Sequence, residues 1–208
     1  MQFEQRLFGR AIAVLERSQA SVAPTAFMHD LAYLYSLNGQ HAEAAQTYVR
    51  MLEGEPRQQQ FVRQRLQRFT EQPEAVNTTV TVFEEAVRAK PLERPIRELL
   101  GWLYAEQGEY SKALDATRAI DRLEGEQGQA LYQFAERAQS AGAFDQAAAA
   151  YAEILTRYPD SPAAPEALAG RGILLQLWAD ADTISADSAQ ARYRRALGAY
   201  DQFLTRYP

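Results

Sequence analysis

The 208 residues contain no cysteine. Disulfides and thiolate metal centres are therefore excluded, and the redox compartment cannot be read from the chain. Histidine occurs only as His29 and His41. Neither shares a face with the other, so they do not converge on one metal. Lysine is nearly absent: Lys90 and Lys112 stand against 20 arginines. Codon composition is the simplest source of that bias. The net charge of −5 disfavours a general nucleic-acid or anionic-membrane surface. No run approaches the ~18 apolar residues of a membrane-spanning helix. The opening residues, Met1-Gln-Phe-Glu-Gln-Arg-Leu7, lack the apolar core of a secretory signal, and the compartment is left open.

Catalytic constellations are also missing. Gly9, Gly39 and Gly108 are isolated, so no glycine-rich phosphate loop is formed, and Gly125 and Gly128 sit at a helix-to-helix turn. Adjacent acids such as Glu84 and Glu85 point in different directions on a helix and read as a solvated face. Asp180, Asp182, Ser185 and Asp187 lie in a stretch without the glycine and downstream glutamate of a calcium loop. The expectation is a chain with no enzymatic activity, no cofactor and no metal.

What the chain does have is a ruler. Gly39, Gly108 and Gly142 are separated by 69 and 34 residues, and Glu74 fills the skipped mark. Around each mark an apolar helix is followed by a tight turn and an alanine-rich amphipathic helix. A left-handed glycine is the cheapest way to end the first helix. Small residues (Ala32, Gly101, Ala135, Gly170) fall where two helices of a hairpin cross, with Ala44, Ala113, Ala147 and Ala196 opposite them. Tyr48, Tyr151 and Tyr200 fill the gap to the next hairpin, and Pro56, Pro91 and Pro159 stop second helices. Such a period means stacked helical hairpins, none of which can bury its apolar face alone.

These residues resemble the tetratricopeptide repeat family, whose pattern is small at position 8, aromatic at 11, Ala at 20, aromatic at 24 and Pro at 32. The resemblance implies an all-α, right-handed superhelical solenoid of about five hairpins plus one N-terminal helix. The expected organisation is one domain over 1–208, with a helix at 2–18 and repeats at 25–58, 60–93, 94–127, 128–161 and 163–208. The repeat at 60–93 is degenerate, with Gln67 and Thr79 at the small positions. The last repeat has an inserted loop from Ala179 to Asp187. Tyr151-Ala-Glu-Ile-Leu-Thr-Arg-Tyr-Pro159 nearly recurs as Tyr200-Asp-Gln-Phe-Leu-Thr-Arg-Tyr-Pro208. The first continues into Asp160-Ser161-Pro162, where Ser161 is expected to cap the next helix and Pro162 to start it. This junction resembles that of bacterial cell-envelope repeat proteins such as the Tol-Pal-associated periplasmic coordinator. The lone first helix and the stop at Tyr207-Pro208 suggest a fragment of a longer protein.

In the family, positions 2, 5, 6, 9, 12 and 13 of the first helix line the concave side. By phase these are His29, Asp30, Tyr33 and Leu37, then Phe61, Gln64, Arg65 and Arg68, then Glu98, Trp102 and Glu106. Tyr132, Gln133, Glu136 and Gln139 follow, and Arg171 closes the series. Aromatics supply contact area at little entropy cost and charges fix orientation, so the resemblance implies a protein or peptide partner held on this face. Residues 57–68 hold four arginines and no acid, which reads either as a solvated helix or as a pocket for a carboxylate. Trp102 has the alternative of packing between helices. The chaperone-type pattern of Lys and Asn clamps is not met, because His29, Tyr33, Gln64 and Arg68 stand at those positions.

Two further expectations concern the ends and the middle. The last helix presents Tyr193, Leu197, Tyr200 and Leu204 on one stripe, a surface for self-association into a homo-oligomer. A third reading is the accessory region of a larger enzyme or secretion machine. Residues 75–83, Ala-Val-Asn-Thr-Thr-Val-Thr-Val-Phe, would read locally as a strand, but repeat phase demands a helix there.

Overall fold

The computed structural model describes residues 2–22, 25–181 and 185–207, without the side chains of residues 2–5, 20 and 22. Among the described residues the backbone is helical and no strand forms. The helices are α1 (Gln2–Val22), α2 (Met28–Leu37), α3 (His41–Gly54), α4 (Gln59–Leu66), α5 (Pro73–Ala89), α6 (Arg94–Glu106), α7 (Tyr110–Glu124), α8 (Gln129–Ser140), α9 (Phe144–Arg157), α10 (Ala163–Asp180) and α11 (Ala186–Arg206). A 3-10 turn at Pro56–Gln58 precedes α4.

The glycine marks behave as the ruler requires. Gly39, Gly108 and Gly142 take φ values of 75, 76 and 77°. After two of them the chain closes a six-residue bond, from the Gln40 amide to the Tyr35 carbonyl at 2.9 Å and from the Ala143 amide to the Ala138 carbonyl at 2.8 Å. These bonds satisfy carbonyls that the helix end would otherwise leave open.

The second repeat departs from the ruler. Its first helix, α4, ends at Leu66, and residues 67–72 form the turn. Glu74 is therefore in the first turn of α5, not at a turn between helices. Proline explains the shift: Pro73 occupies the start of α5, and Gln72 before it is extended at φ −120°. Residues 75–83 are helical, with Ala75, Val76, Thr79, Val80 and Phe83 buried on one face. Thr79 lies at a small-residue position and is fully buried, its hydroxyl donating to the Ala75 carbonyl at 2.8 Å. The burial of this stripe outweighs the β-branched propensity of the segment.

Three other expectations need adjustment. The first helix runs on to Val22. The expected loop at 179–187 is shorter, since Ala179 and Asp180 end α10 and Ala186 begins α11; Asp182, Thr183 and Ile184 lie outside the described residues. Ser161 does not cap α10 with its side chain. Its main-chain carbonyl accepts from the Ala164 amide at 3.1 Å, and its buried hydroxyl has no hydrogen-bond partner among the described residues. A side-chain cap does occur at α11, where the Ser185 hydroxyl accepts from the Ser188 amide at 3.3 Å.

Packing divides into two units, residues 1–108 and 109–208. In the first unit α1 packs on α2, α2 on α3, α3 on α5 and α5 on α6. The Tyr35 hydroxyl ties α2 to α1 by donating to Glu16 at 2.6 Å. Leu31, Leu52, Leu66, Phe83 and Ile96 are among its fully buried side chains. Each such side chain contributes about 1.5–3 kcal/mol relative to exposure. In the second unit α7 to α11 pack each on the next, with α8 also meeting α10 and α7 meeting α9. Asp121, buried, accepts from the Gly128 amide at 2.9 Å and fixes the turn between α7 and α8. Glu153 of α9 accepts from Arg118 of α7 at 2.7 Å and from Arg157 at 2.9 Å. Burial alone would raise the Glu153 carboxyl, but these two arginines outweigh it and hold it below its ordinary value.

Candidate functional site

Each unit contains a cleft built from the same repeat parts: a first helix, the tyrosine of its second helix, and the next hairpin. In the first unit the cleft has a volume of about 140 Å³ and is lined by Tyr33, Ser36 and Leu37 of α2, His41 and Tyr48 of α3, Arg65 of α4, and Arg68, Phe69 and Gln72 of the following turn. None of these residues is acidic. The Arg65 guanidinium stands 5.5 Å from the Tyr33 ring and 5.1 Å from the Phe61 ring. His29 meets Phe61 edge-on at 4.6 Å. Arg65 and Arg68 form no ion pair among the described residues. Tyr48 lies at the floor, only 2 % exposed, tilted against Phe69 at 6.4 Å. Burial pushes its phenol up to about 12, while Arg65 and Arg68 act in the opposite direction.

A second cluster in the same unit joins α4 to α6. The Arg63 guanidinium covers the Trp102 ring at 5.2 Å. Glu98 accepts from Gln59 at 2.5 Å and from Arg94 at 2.6 Å. The Glu98 carboxylate is therefore held by this chain's own donors. Trp102 is half-buried under an arginine, between the two alternatives that its position in the sequence allows. Asp30, Gln64 and Glu106 are exposed and do not line the cleft.

The second-unit cleft, of about 270 Å³, is lined by Tyr132, Glu136, Gln139 and Ser140 of α8, Tyr151 of α9, and Glu166, Ala169, Gly170 and Ile173 of α10. Its charge is opposite. The Tyr132 hydroxyl donates to Glu136 at 3.0 Å and stands near the Tyr151 ring, 6.1 Å between centroids. Burial, and then the Glu136 carboxylate, push the Tyr132 phenol up to about 12. Burial pushes Tyr151 up as well. Gly170 is required here: a Cβ on it would lie 2.7 Å from the Tyr151 ring and hydroxyl. Arg171 is half-buried and is not in this lining, because α10 turns the adjacent Gly170 toward Tyr151.

Of the residues expected from phase, Tyr33, Leu37, Arg65 and Arg68 are brought together in one cleft, and Tyr132, Glu136 and Gln139 in the other. Phase missed Ser36, His41, Tyr48, Phe69 and Gln72 in the first, and Ser140, Tyr151 and the α10 residues Glu166, Ala169, Gly170 and Ile173 in the second. Phe69 and Gln72 arrive through the early turn of the second repeat, which Pro73 signals. Tyr48 and Tyr151 stand at the aromatic position of second helices, so their spacer role conceals that their ring edges reach an open cleft. Among the described residues no group of His, Asp and Glu side chains is placed to hold a metal ion, and no helix is long and apolar enough to cross a membrane.

A family model described as tetratricopeptide repeat matches residues 80–126, and another of the same description matches residues 129–161. Among solved structures, one titled "Crystal structure of MamA" is similar over 84% of this chain and 97% of that one, at 16% identity and a TM-score of 0.39. No argument rests on a likeness at that score. None of the curated proteins matches the sequence.

Proposed function

We propose that this tetratricopeptide-repeat chain is a non-catalytic protein-interaction scaffold, and that its first unit binds an acidic segment of a partner protein. Repeats of this kind support a scaffold role in general. The acidic specificity rests on one observation. Arg65 and Arg68 face a cleft with no acid in its lining, and neither has an ion pair among the described residues. A guanidinium with no carboxylate of its own offers a planar fork to a carboxylate from outside. The Tyr33 and Phe61 rings lie within cation–π distance of the Arg65 guanidinium, and restricting its freedom lowers the ordering cost on binding. The segment's carboxylates meet the arginines, and its apolar side chains cover Tyr33 and Leu37.

The test is fluorescence anisotropy with a labelled peptide of alternating Glu and Leu, against its Lys and Leu counterpart. The acidic peptide binds with a Kd on the order of 10 μM and the basic one binds more weakly. Arg65→Glu with Arg68→Glu weakens the acidic peptide at least about tenfold. Equal affinity of the two peptides, or no change in the double variant, contradicts the reading.

A further inference from the structure

The outer face of α11 bears a seam that the fold does not use. Gln190, Arg194, Leu197, Asp201 and Leu204 follow one another at alternating four- and three-residue spacing, and all are exposed. Leu197 and Leu204 are 63% and 66% exposed. Arg194 and Asp201 have no ion pair among the described residues. Gly198, beside the seam, is a mid-helix glycine where a Cβ would meet nothing within 4 Å. A glycine there costs about 1 kcal/mol relative to alanine, with no packing need in this chain to explain it.

Repeat phase sharpens the point. On the ruler, Leu197 and Asp201 correspond to Ala148 and Ala152 of α9. Ala152 remains exposed although α10 packs on α9. The counterparts of Leu197 and Leu204, Ala148 and Leu155, are half-buried, so in α9 a following hairpin covers part of this face and leaves the place of Asp201 open. Where α9 has Ala148 and Ala152, α11 has a leucine and a charge.

We infer that α11 pairs antiparallel with α11 of a second copy of this chain, about a twofold axis passing between Leu197 and Gly198. The charges select the occupant. Arg194 and Asp201 are seven residues apart, two turns on one face. An antiparallel twofold at their midpoint sets Arg194 of each copy beside Asp201 of the other, giving two equal ion pairs. The same axis lays Leu197 of each copy over Gly198 of the other, where the missing Cβ admits it. Leu204 then covers the start of the partner helix near Ala191. A single helix pair buries little surface, so the dimer is a weak one. The inference does not depend on the arginine cleft of residues 1–108.

Sedimentation of the full chain from about 5 to 200 μM tests it, a range that covers a micromolar dimer. The wild-type mass doubles with concentration. Arg194→Asp places like acids opposite each other, Asp201→Arg places like bases, and each weakens self-association at least about tenfold. Mixing the two single variants restores dimers, since every cross-copy pair is then opposite in sign. That rescue also shows that both variants fold. A wild-type chain that stays monomeric throughout overturns the inference and leaves the face to a segment of a longer chain or to another partner. Single variants that associate like wild type, or a mixture that stays monomeric, overturn it too.

Discussion

Tyr48 in residues 1–108 and Tyr151 in residues 109–208 occupy the same repeat position, and each forms the floor of a cleft. Their surroundings differ in two respects. Around Tyr48 stand Arg65 and Arg68; around Tyr151 stand Glu136 and Glu166. Tyr151 is closed in by Gly170 of a full-length helix, whereas the position equivalent to Gly170 in the first unit is Gln67, exposed in a turn because α4 has already ended. One template thus gives an acidic cleft of about 270 Å³ lined partly by a full-length helix and a basic one of about 140 Å³ lined partly by a turn. The short α4 causes the second of these. By ending at Leu66 it frees Arg68, Phe69 and Gln72 to line the opening from a turn.

The largest effect tests the difference in closure. Gly170→Val drives a side chain into Tyr151 and costs on the order of 2–3 kcal/mol in denaturant melts. Gln67→Val at the matching position changes stability by less than about 0.5 kcal/mol. Similar costs at the two positions would remove the distinction.

The difference in charge is read by tyrosine titration in the ultraviolet. Replacing Arg65 and Arg68 by Gln raises the Tyr48 phenol further, because two groups favouring phenolate are gone. Glu136→Gln lowers the Tyr132 phenol, because its hydrogen-bond acceptor and neighbouring negative charge are gone. Shifts of the same sign in both clefts would contradict the assignment. The linked stability has one sign in both. Tyr48 and Tyr132 are raised to about 12 in the folded chain. Their contribution is full below the unfolded value of about 10 and is lost as pH rises from there through about 12. A melting temperature constant from pH 10 to 12 would argue against buried phenols.

The smallest effect is Tyr132→Phe. It removes one partly exposed hydrogen bond to Glu136 and costs about 0.5 kcal/mol.

How much of this was legible in the sequence depended on which residues enforced it. The glycines at 39, 108 and 142 announced three turns, since only a left-handed residue ends those helices cheaply, and all three φ values agree. The helix at 75–83 was legible only through the period, because its β-branched residues say the opposite locally. The period alone does not show the early turn before α5; Pro73 does, because it marks a helix start whatever the spacing. Ser161 reads as a cap from its place before Pro162, but the main chain turns there first and its carbonyl, not its hydroxyl, takes the Ala164 amide. In the clefts, phase found part of the first-helix lining but not Ser36 or Glu166. It also missed the residues that arrive from second helices and from the early turn, whose exposure depends on how far neighbouring helices extend. Arg171 fell outside because its neighbour Gly170 takes the close approach to Tyr151.

The central proposal is that an acidic segment binds in the basic cleft of residues 1–108 and not in the acidic cleft of residues 109–208. An amide nitrogen–proton correlation spectrum of the labelled chain, titrated with the acidic peptide, tests it most directly. The account predicts shifts concentrated at Tyr33, Ser36, Arg65, Arg68 and Gln72, with Glu136 and Glu166 unmoved. Shifts centred on Tyr132, Glu136 and Glu166 would contradict it.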